Sequence, residues 1–246
     1  MARLLSLSST STIRSWTPIL PWLFAFVTVL AGCAGQPASR PEPAIRPETA
    51  APISASERLI TAIAHEYGPE AAARVRYWFA LIEQGKSVPD LERLRLTNNF
   101  FNGARFTTDQ EVWQQDDYWA TPVEFLVKDA GDCEDFAIAK YFTLNRMGIA
   151  EDAMRITYVR PATLRQPHMV LAWYPAPDAE PLILDNIEPR ILPASERPDL
   201  TPVYSFNGTT LWLARTRREQ IPSGDASSLG NWQELRKRFA AELQAP

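Results

Sequence analysis

Asp129-Ala-Gly-Asp-Cys-Glu-Asp-Phe-Ala-Ile-Ala-Lys-Tyr-Phe-Thr-Leu144 puts a cysteine, Cys133, where a loop turns into a helix. Asp132 is a suitable N-cap, and Asp135 falls in the first turn, where an acidic side chain complements the helix dipole. Strong helix formers follow, and Gly148 suits a C-terminal stop. Phe136, Ala137, Lys140, Tyr141 and Leu144 share one face on which only Lys140 is polar, so the helix is expected to lie against a core. A thiol at a helix N-terminus feels the positive end of the dipole, which favours the thiolate, the form that attacks carbonyls. The flanking carboxylates of Asp132, Glu134 and Asp135 oppose that ionisation. A cation bound to them would ease the conflict, a first pointer to calcium.

Downstream the pattern changes to strands, at residues 154–159, 168–174 and 181–185. The loop from Pro175 to Glu180 makes an antiparallel hairpin of the last two. Folding about its midpoint gives paired numbers that sum to roughly 353–357. For an odd sum, Asp185 lies opposite His168 or one diagonal step away on the same face; an even sum would separate them. Two further strands, 203–206 and 209–213, flank Asn207-Gly208, the strongest short hairpin signal.

Upstream the chain is helical. Residues 57–66 read as a helix closed by Gly68-Pro69. Ala71, Val75, Trp78 and Ile82 mark a second, ending at Gly85. Pro89 suits the first turn of a third, carrying Leu91 and Leu94 and ending within 98–103. Thr121-Pro-Val-Glu124 is a capping box, so a short helix leads into the Cys133 loop. The segment from Trp113 to Trp119, with Asp116 and Asp117, is either a packed connector or a substrate-facing wall. Trp232, Leu235, Phe239 and Leu243 form a terminal amphipathic helix behind the Asn231 and Glu234 cap. The expected class is α+β: helices first, then an antiparallel sheet packed on the Cys133 helix.

Cys133, a histidine opening one strand and an aspartate closing its neighbour make a nucleophile, a base and a group that orients the base. Zinc is not expected, because the chain has 2 histidines and 2 cysteines, and His65 reads as structural or surface. The formal charge of −4 and the lack of a basic patch exclude nucleic acid as an expected partner.

Residues 1–32 carry Arg3 and Arg14, no acid, and an apolar run over 19–30 that ends in Leu30-Ala31-Gly32-Cys33. This is the layout of a secretory signal, and Leu-Ala-Gly-Cys resembles the lipobox of bacterial lipoproteins, whose cysteine is lipidated. Lipidation of Cys33 would leave Cys133 alone in a compartment that favours disulfides. Pro37, Pro41, Pro43, Pro47 and Pro52 make residues 33–55 an extended tether. The catalytic domain is expected over 56–222, with a linker and helix over 223–246.

The blocks Trp119-Ala-Thr-Pro-Val-Glu-Phe-Leu126 and Gly131-Asp-Cys-Glu-Asp-Phe-Ala-Ile-Ala-Lys-Tyr141 resemble the bacterial transglutaminase-like cysteine proteinases, which include the LapG-type periplasmic adhesin proteases. His168-Met-Val-Leu171, Leu184-Asp-Asn186 and Pro202-Val-Tyr-Ser-Phe-Asn207 extend the likeness, which runs from about Asn98 to Leu213. The resemblance implies a papain- and transglutaminase-like fold with a Cys133, His168, Asp185 triad. It also implies calcium dependence involving Asp132, Glu134 and Asp135. LapG-type members cut a large surface adhesin near its N-terminus at paired alanines, and an inner-membrane receptor for cyclic di-GMP sequesters them. The expectation is therefore a calcium-dependent cysteine endopeptidase of the envelope that releases an adhesin and so controls biofilm attachment. The alternatives are a transglutaminase-type acyl transferase and a non-catalytic envelope lipoprotein. The lipobox departs from the soluble LapG type and points to a lipid anchor in the outer membrane.

Overall fold

Ser54 starts the folded chain: its hydroxyl accepts from the Glu57 N–H at 3.2 Å and caps helix α1 (Ala55–Tyr67). The computed structural model describes residues 54–162, 166–216 and 219–244, all within one compact unit, Ala50–Pro246. The expected signal segment, Cys33 and all but the end of the tether lie outside the described residues. Gly68, at φ 90°, makes the sharp break between α1 and α2 (Pro69–Gly85), a left-handed conformation that suits glycine. Helix α3 (Asp90–Phe101) follows, then a two-residue strand β1 (Arg105–Phe106) and the single turn α4 (Asp109–Val112). Helix α5 (Pro122–Lys128) begins at the expected capping box: Glu124 N–H donates to Thr121 Oγ1 at 3.1 Å and Thr121 N–H to Glu124 Oε2 at 2.8 Å. Strand β2 (Ala130–Gly131) then pairs in parallel with β1 and delivers the chain to α6 (Cys133–Arg146).

The sheet comprises β3 (Met154–Pro161), β4 (His168–Trp173), β5 (Leu182–Leu184), β6 (Leu192–Pro193), β7 (Leu200–Phe206), β8 (Thr210–Ala214) and β9 (Gln220–Asp225). Its order is β6-β5-β4-β3-β7-β8-β9, antiparallel at every pairing. Helix α6 lies against the centre of one face. Ala137, Ile138, Tyr141 and Leu144 pack there on Ile156, Met169, Leu171, Leu184 and Phe206. On the other face Val159, Val170, Ala172 and Ile183 are covered by Ala194 and Leu200. All six residues of β4 are therefore buried. The helices form a second cluster around Val75, Trp78, Ile82, Phe101, Phe125 and Phe136. Trp78 Nε1–H donates to Thr143 Oγ1 at 2.8 Å, joining α2 to α6.

In the β4–β5 hairpin, Leu171 lies opposite Leu184 and Trp173 opposite Leu182. This is the odd parity, so Asp185, directly after β5, falls one diagonal step from His168 on the same face. Two other expectations are corrected. The Asn207-Gly208 hairpin is not a two-residue turn, because Phe206 pairs with Leu211 and leaves four residues between. Asn207 Oδ1 accepts from the N–H groups of Thr209 and Thr210, while a Cβ on Gly208 would meet the Glu151 carboxylate, which would have to move aside. Strand β9 also runs through the expected boundary at 222/223. Helix α7 (Gly230–Gln244) is no appendage: Trp232 and Leu235 belong to the α6–sheet core and Phe239 to the helical cluster. No helix among the described residues is long and apolar enough to cross a membrane.

Candidate active site

The nucleophile loop is built from its glycine and its buried acid. Asp135 is fully buried, its Oδ1 accepting from the Ala120 N–H at 2.7 Å and its Oδ2 from the Asp132 N–H at 3.3 Å. A Cβ on Gly131 would collide with that carboxylate, so glycine there and aspartate at 135 fit one another. Together they fix the start of α6, with Cys133 as its first residue.

The Cys133 thiol is free and half-buried, and it donates to Glu134 Oε2 at 3.0 Å. Burial pushes the thiol pKa up, and the Glu134 and Asp132 charges push it further; the Met169 backbone N–H, reaching the sulfur, works the other way. The sulfur thus meets β4 at the residue next to His168.

His168 opens β4, buried, and its Nε2 lies 2.7 Å from Asp185 Oδ1. The same oxygen accepts from the Ile187 N–H at 3.0 Å, and Oδ2 accepts from Arg197 Nη2–H at 2.9 Å. Asn102 Nδ2–H donates to the Asp185 carbonyl at 2.8 Å, tying the end of α3 to the same point. Burial alone would raise the Asp185 pKa, but the His168 bond and charge, the Ile187 N–H and Arg197 outweigh it and hold it at about 2. An ionised Asp185 keeps a proton on His168 Nε2 and leaves Nδ1 to exchange one.

Beside the thiol, Asp109, Asp117, Asp132, Glu134 and Asp135 converge. Within each of the sets Asp109/Asp132/Asp135 and Asp109/Asp117/Glu134, the oxygens lie within 4.8 Å of one another. Asp109 Oδ2 accepts from the Tyr118 N–H at 2.6 Å, yet its buried Oδ1 has no partner, and neither has Asp132 Oδ1. Burial, then the negative neighbours Glu134 and Asp117, raise the Asp109 pKa to about 6. Burial, then Glu134, raises that of Asp132, and burial raises that of Asp135. Asp109 and Asp135 are buried, Asp132 and Glu134 half-buried, and Asp117 exposed, its oxygens accepting from Trp119 Nε1–H and Asn231 Nδ2–H. Mutually repelling, partly unpartnered oxygens of this kind are the donor set of a hard divalent cation, and these residues fit calcium. The two Asp135 oxygens already hold backbone N–H groups, and each keeps one further lone pair.

A profile of the bacterial transglutaminase-like cysteine proteinases matches residues 82–201, which include Cys133, His168 and Asp185. The structure of EGTA-treated LapG from Legionella pneumophila is 49% identical over 76% of this chain and 98% of that one, with a TM-score of 0.67. The chain belongs to the bacterial transglutaminase-like cysteine proteinase family. Legionella LapG without a stated treatment aligns at 48% identity and TM-score 0.66, covering 76% and 98% of the two chains. The calcium-bound form aligns at 47% and 0.65, covering 76% and 99%. No curated protein matches. The fold is accordingly transglutaminase-like, and the family is one of peptidases.

Within this proteinase frame, His65 is exposed on the last turn of α1, as expected. In the aromatic segment Trp113 lies against Tyr118 at 4.6 Å between ring centroids and Trp119 stacks on Phe206 at 5.6 Å, the contacts of a packed connector, while residues 114–117 between them are exposed. Three participants escaped the sequence reading. Asp109 and Asp117 carry no metal-like spacing, because separate turns bring them to the cluster; Asp117 was noticed only as part of the connector. Arg197 sits in Arg197-Pro-Asp199, a run with no motif of its own.

Proposed function

We propose that the protein is a calcium-dependent cysteine endopeptidase of the bacterial envelope, with Cys133 as nucleophile, His168 as base and Asp185 as the orienting carboxylate. The observation that carries this reading is the 2.7 Å bond from His168 Nε2 to an Asp185 held ionised, on the strand whose next N–H reaches the Cys133 sulfur. His168 Nδ1 takes the thiol proton, and the sulfur adds to the scissile carbonyl carbon. The oxyanion that forms is met by the Cys133 backbone N–H at the start of α6. Collapse breaks the C–N bond, and the imidazolium gives its proton to the leaving amine. Water, deprotonated by the same imidazole, then hydrolyses the thioester and frees the acid and the thiol. Bound calcium, held by Asp132 and Glu134 with Asp109 and Asp117, supplies positive charge beside the thiol. Asp135, occupied with two backbone N–H groups, holds the loop and has one lone pair per oxygen to add.

The substrate we propose is a large repeat adhesin, cut so that it leaves the surface and biofilm attachment ends; the likeness to the LapG type supports this. An inner-membrane cyclic-di-GMP receptor is the proposed regulatory partner. Leu30-Ala31-Gly32-Cys33 supports a periplasmic protein lipid-anchored at Cys33 to the outer membrane. The test mixes residues 34–246 with the N-terminal fragment of an adhesin from the same organism, with calcium or with EGTA. Cleavage is expected with calcium only and is abolished by Cys133→Ala at unchanged melting temperature. Cleavage that survives Cys133→Ala would refute the assignment.

A further inference from the structure

Asp185 is gripped from the side opposite His168 by a buried cation. The Arg197 side chain is 8% exposed and that of Asp185 0%. Arg197 Nη2–H donates to Asp185 Oδ2 and to Asp199 Oδ2, both at 2.9 Å, and its Nε–H donates to Asp199 Oδ1 at 3.1 Å. The backbone holds Arg197 still: its N–H donates to the Ala194 carbonyl, and its own carbonyl accepts from Leu200, both at 3.1 Å. With Oδ1 committed to His168 and Ile187, and Oδ2 to Arg197, the carboxylate cannot turn about its Cβ–Cγ bond without losing contacts on both sides.

A buried ion pair stabilises a fold weakly at best, because desolvation offsets the attraction. Stability is therefore a poor account of an arginine shared between two aspartates at this spot. The charges point to another. Asp185, Asp199 and Arg197 together keep one net negative charge, so an imidazolium at His168 still meets an anion. Lys140, from the middle of α6, also feels the Asp185 charge.

We propose that Arg197 is a positioning residue of the proteinase: it fixes the rotation of the Asp185 carboxylate and thereby the Nε2–H tautomer of His168. The inference rests on Asp185 orienting His168 as set out above. Asp199 acts one step further out, steering the guanidinium.

The chain has 2 histidines, so in a His65→Gln background 15N-imidazole NMR reads His168 alone. The full protein with calcium is assayed on the adhesin fragment. Arg197→Met is expected to lower kcat about 10²-fold, the scale of a misplaced reacting group, with KM within about twofold. It should also turn a single Nε2–H tautomer into a mixture. Arg197→Lys, which keeps the charge but not the fork, should recover about tenfold of that loss and most of the tautomer. Should Arg197→Met not fold, Arg197→Lys decides against wild type: a partial loss of kcat moving with partial tautomer mixing supports the inference. A loss of kcat in either variant with the tautomer unchanged, or full activity in Arg197→Met, overturns it. Asp185→Asn separates the two levels: if it keeps full activity, the triad reading itself fails.

Discussion

Lys140 offers the sharpest test of the energetics beneath the nucleophile. It stands two turns along α6 from Cys133, 1% exposed, with its ammonium 6.0 Å from the centre of the Phe136 ring. No carboxylate among the described residues forms an ion pair with it. Burial pushes its pKa from the ordinary 10.5 to about 7, and the Asp185 charge recovers only part of that. Below pH 7 the ammonium is charged whether the chain is folded or not, and the folded state carries the full cost of burying it. Between about pH 7 and 10.5 the unfolded chain holds a proton that the folded chain lacks, so stability rises with pH across that window. At about 1.4 kcal/mol per pH unit, the ceiling is about 5 kcal/mol. Relaxation around the charge brings the expected effect to about 1–4 kcal/mol, the size seen when buried ion pairs are replaced by apolar groups of similar volume.

Lys140→Met keeps the length of the side chain and removes the charge. It is therefore expected to stabilise the domain at pH 7 by about 1–4 kcal/mol, a rise of a few degrees to about 15 °C in melting temperature. It should also flatten the climb above pH 7. Urea unfolding followed by tryptophan fluorescence at several values from pH 6 to 10 measures both. A Lys140→Met protein less stable than wild type at pH 7, or two curves that run parallel from pH 7 to 10, would refute the argument.

Calcium at a hundredfold excess over its dissociation constant should stabilise the folded protein by about 2.7 kcal/mol, a gain that EGTA reverses and Asp132→Asn removes. Because protons compete for Asp109, whose pKa stands at about 6, calorimetry should give weaker calcium binding at pH 5 than at pH 7.5. Trp232→Ala deletes a fully buried ring in contact with Tyr141, Phe142 and Phe206, and should cost about 3–5 kcal/mol in denaturant unfolding. Asp185→Asn, nearly unchanged in volume, should reduce kcat by up to about 10⁴-fold, because the neutral amide no longer selects the productive tautomer; near wild-type turnover would sink its assigned role.

What could be read in the sequence was whatever one segment encodes by itself. The α6 start, the Thr121 capping box and the strands with His168 and Asp185 at their ends are local patterns, and hairpin parity turned two of them into a spatial statement. The two-residue turn at Asn207-Gly208 failed because its reason is tertiary: the glycine sits against Glu151, and its N–H donates to Tyr141 Oη at 3.0 Å rather than to a local group. Strand β9 was missed because Gln220-Ile-Pro-Ser-Gly-Asp225 is mostly exposed and has little apolar alternation to show. Asp109, Asp117 and Arg197 share one cause: the groups that draw them to the site, Asp132 and Glu134 for the two acids and Asp185 for Arg197, lie on other elements.

On the proposed triad, the charges around Cys133 and His168 also give a reason for the calcium dependence. Burial and the Glu134 and Asp132 carboxylates keep the Cys133 thiol protonated, whereas Asp185 stands ready for an imidazolium. On that reading the base half of the site is complete in the chain's own residues, with Arg197 and Asn102 bonded to Asp185. The nucleophile half is not, because its nearest hydrogen-bond acceptor is an anion. Neutralising that anion lowers the cost of a thiolate. A helix dipole alone would be too weak against two adjacent carboxylates, since its effect is typically below about 1 kcal/mol. Asp135 has its own structural work in the loop, but the unpartnered oxygens of Asp109 and Asp132 are accounted for by a cation, and on the proposed triad that cation would act on the thiol rather than on the base.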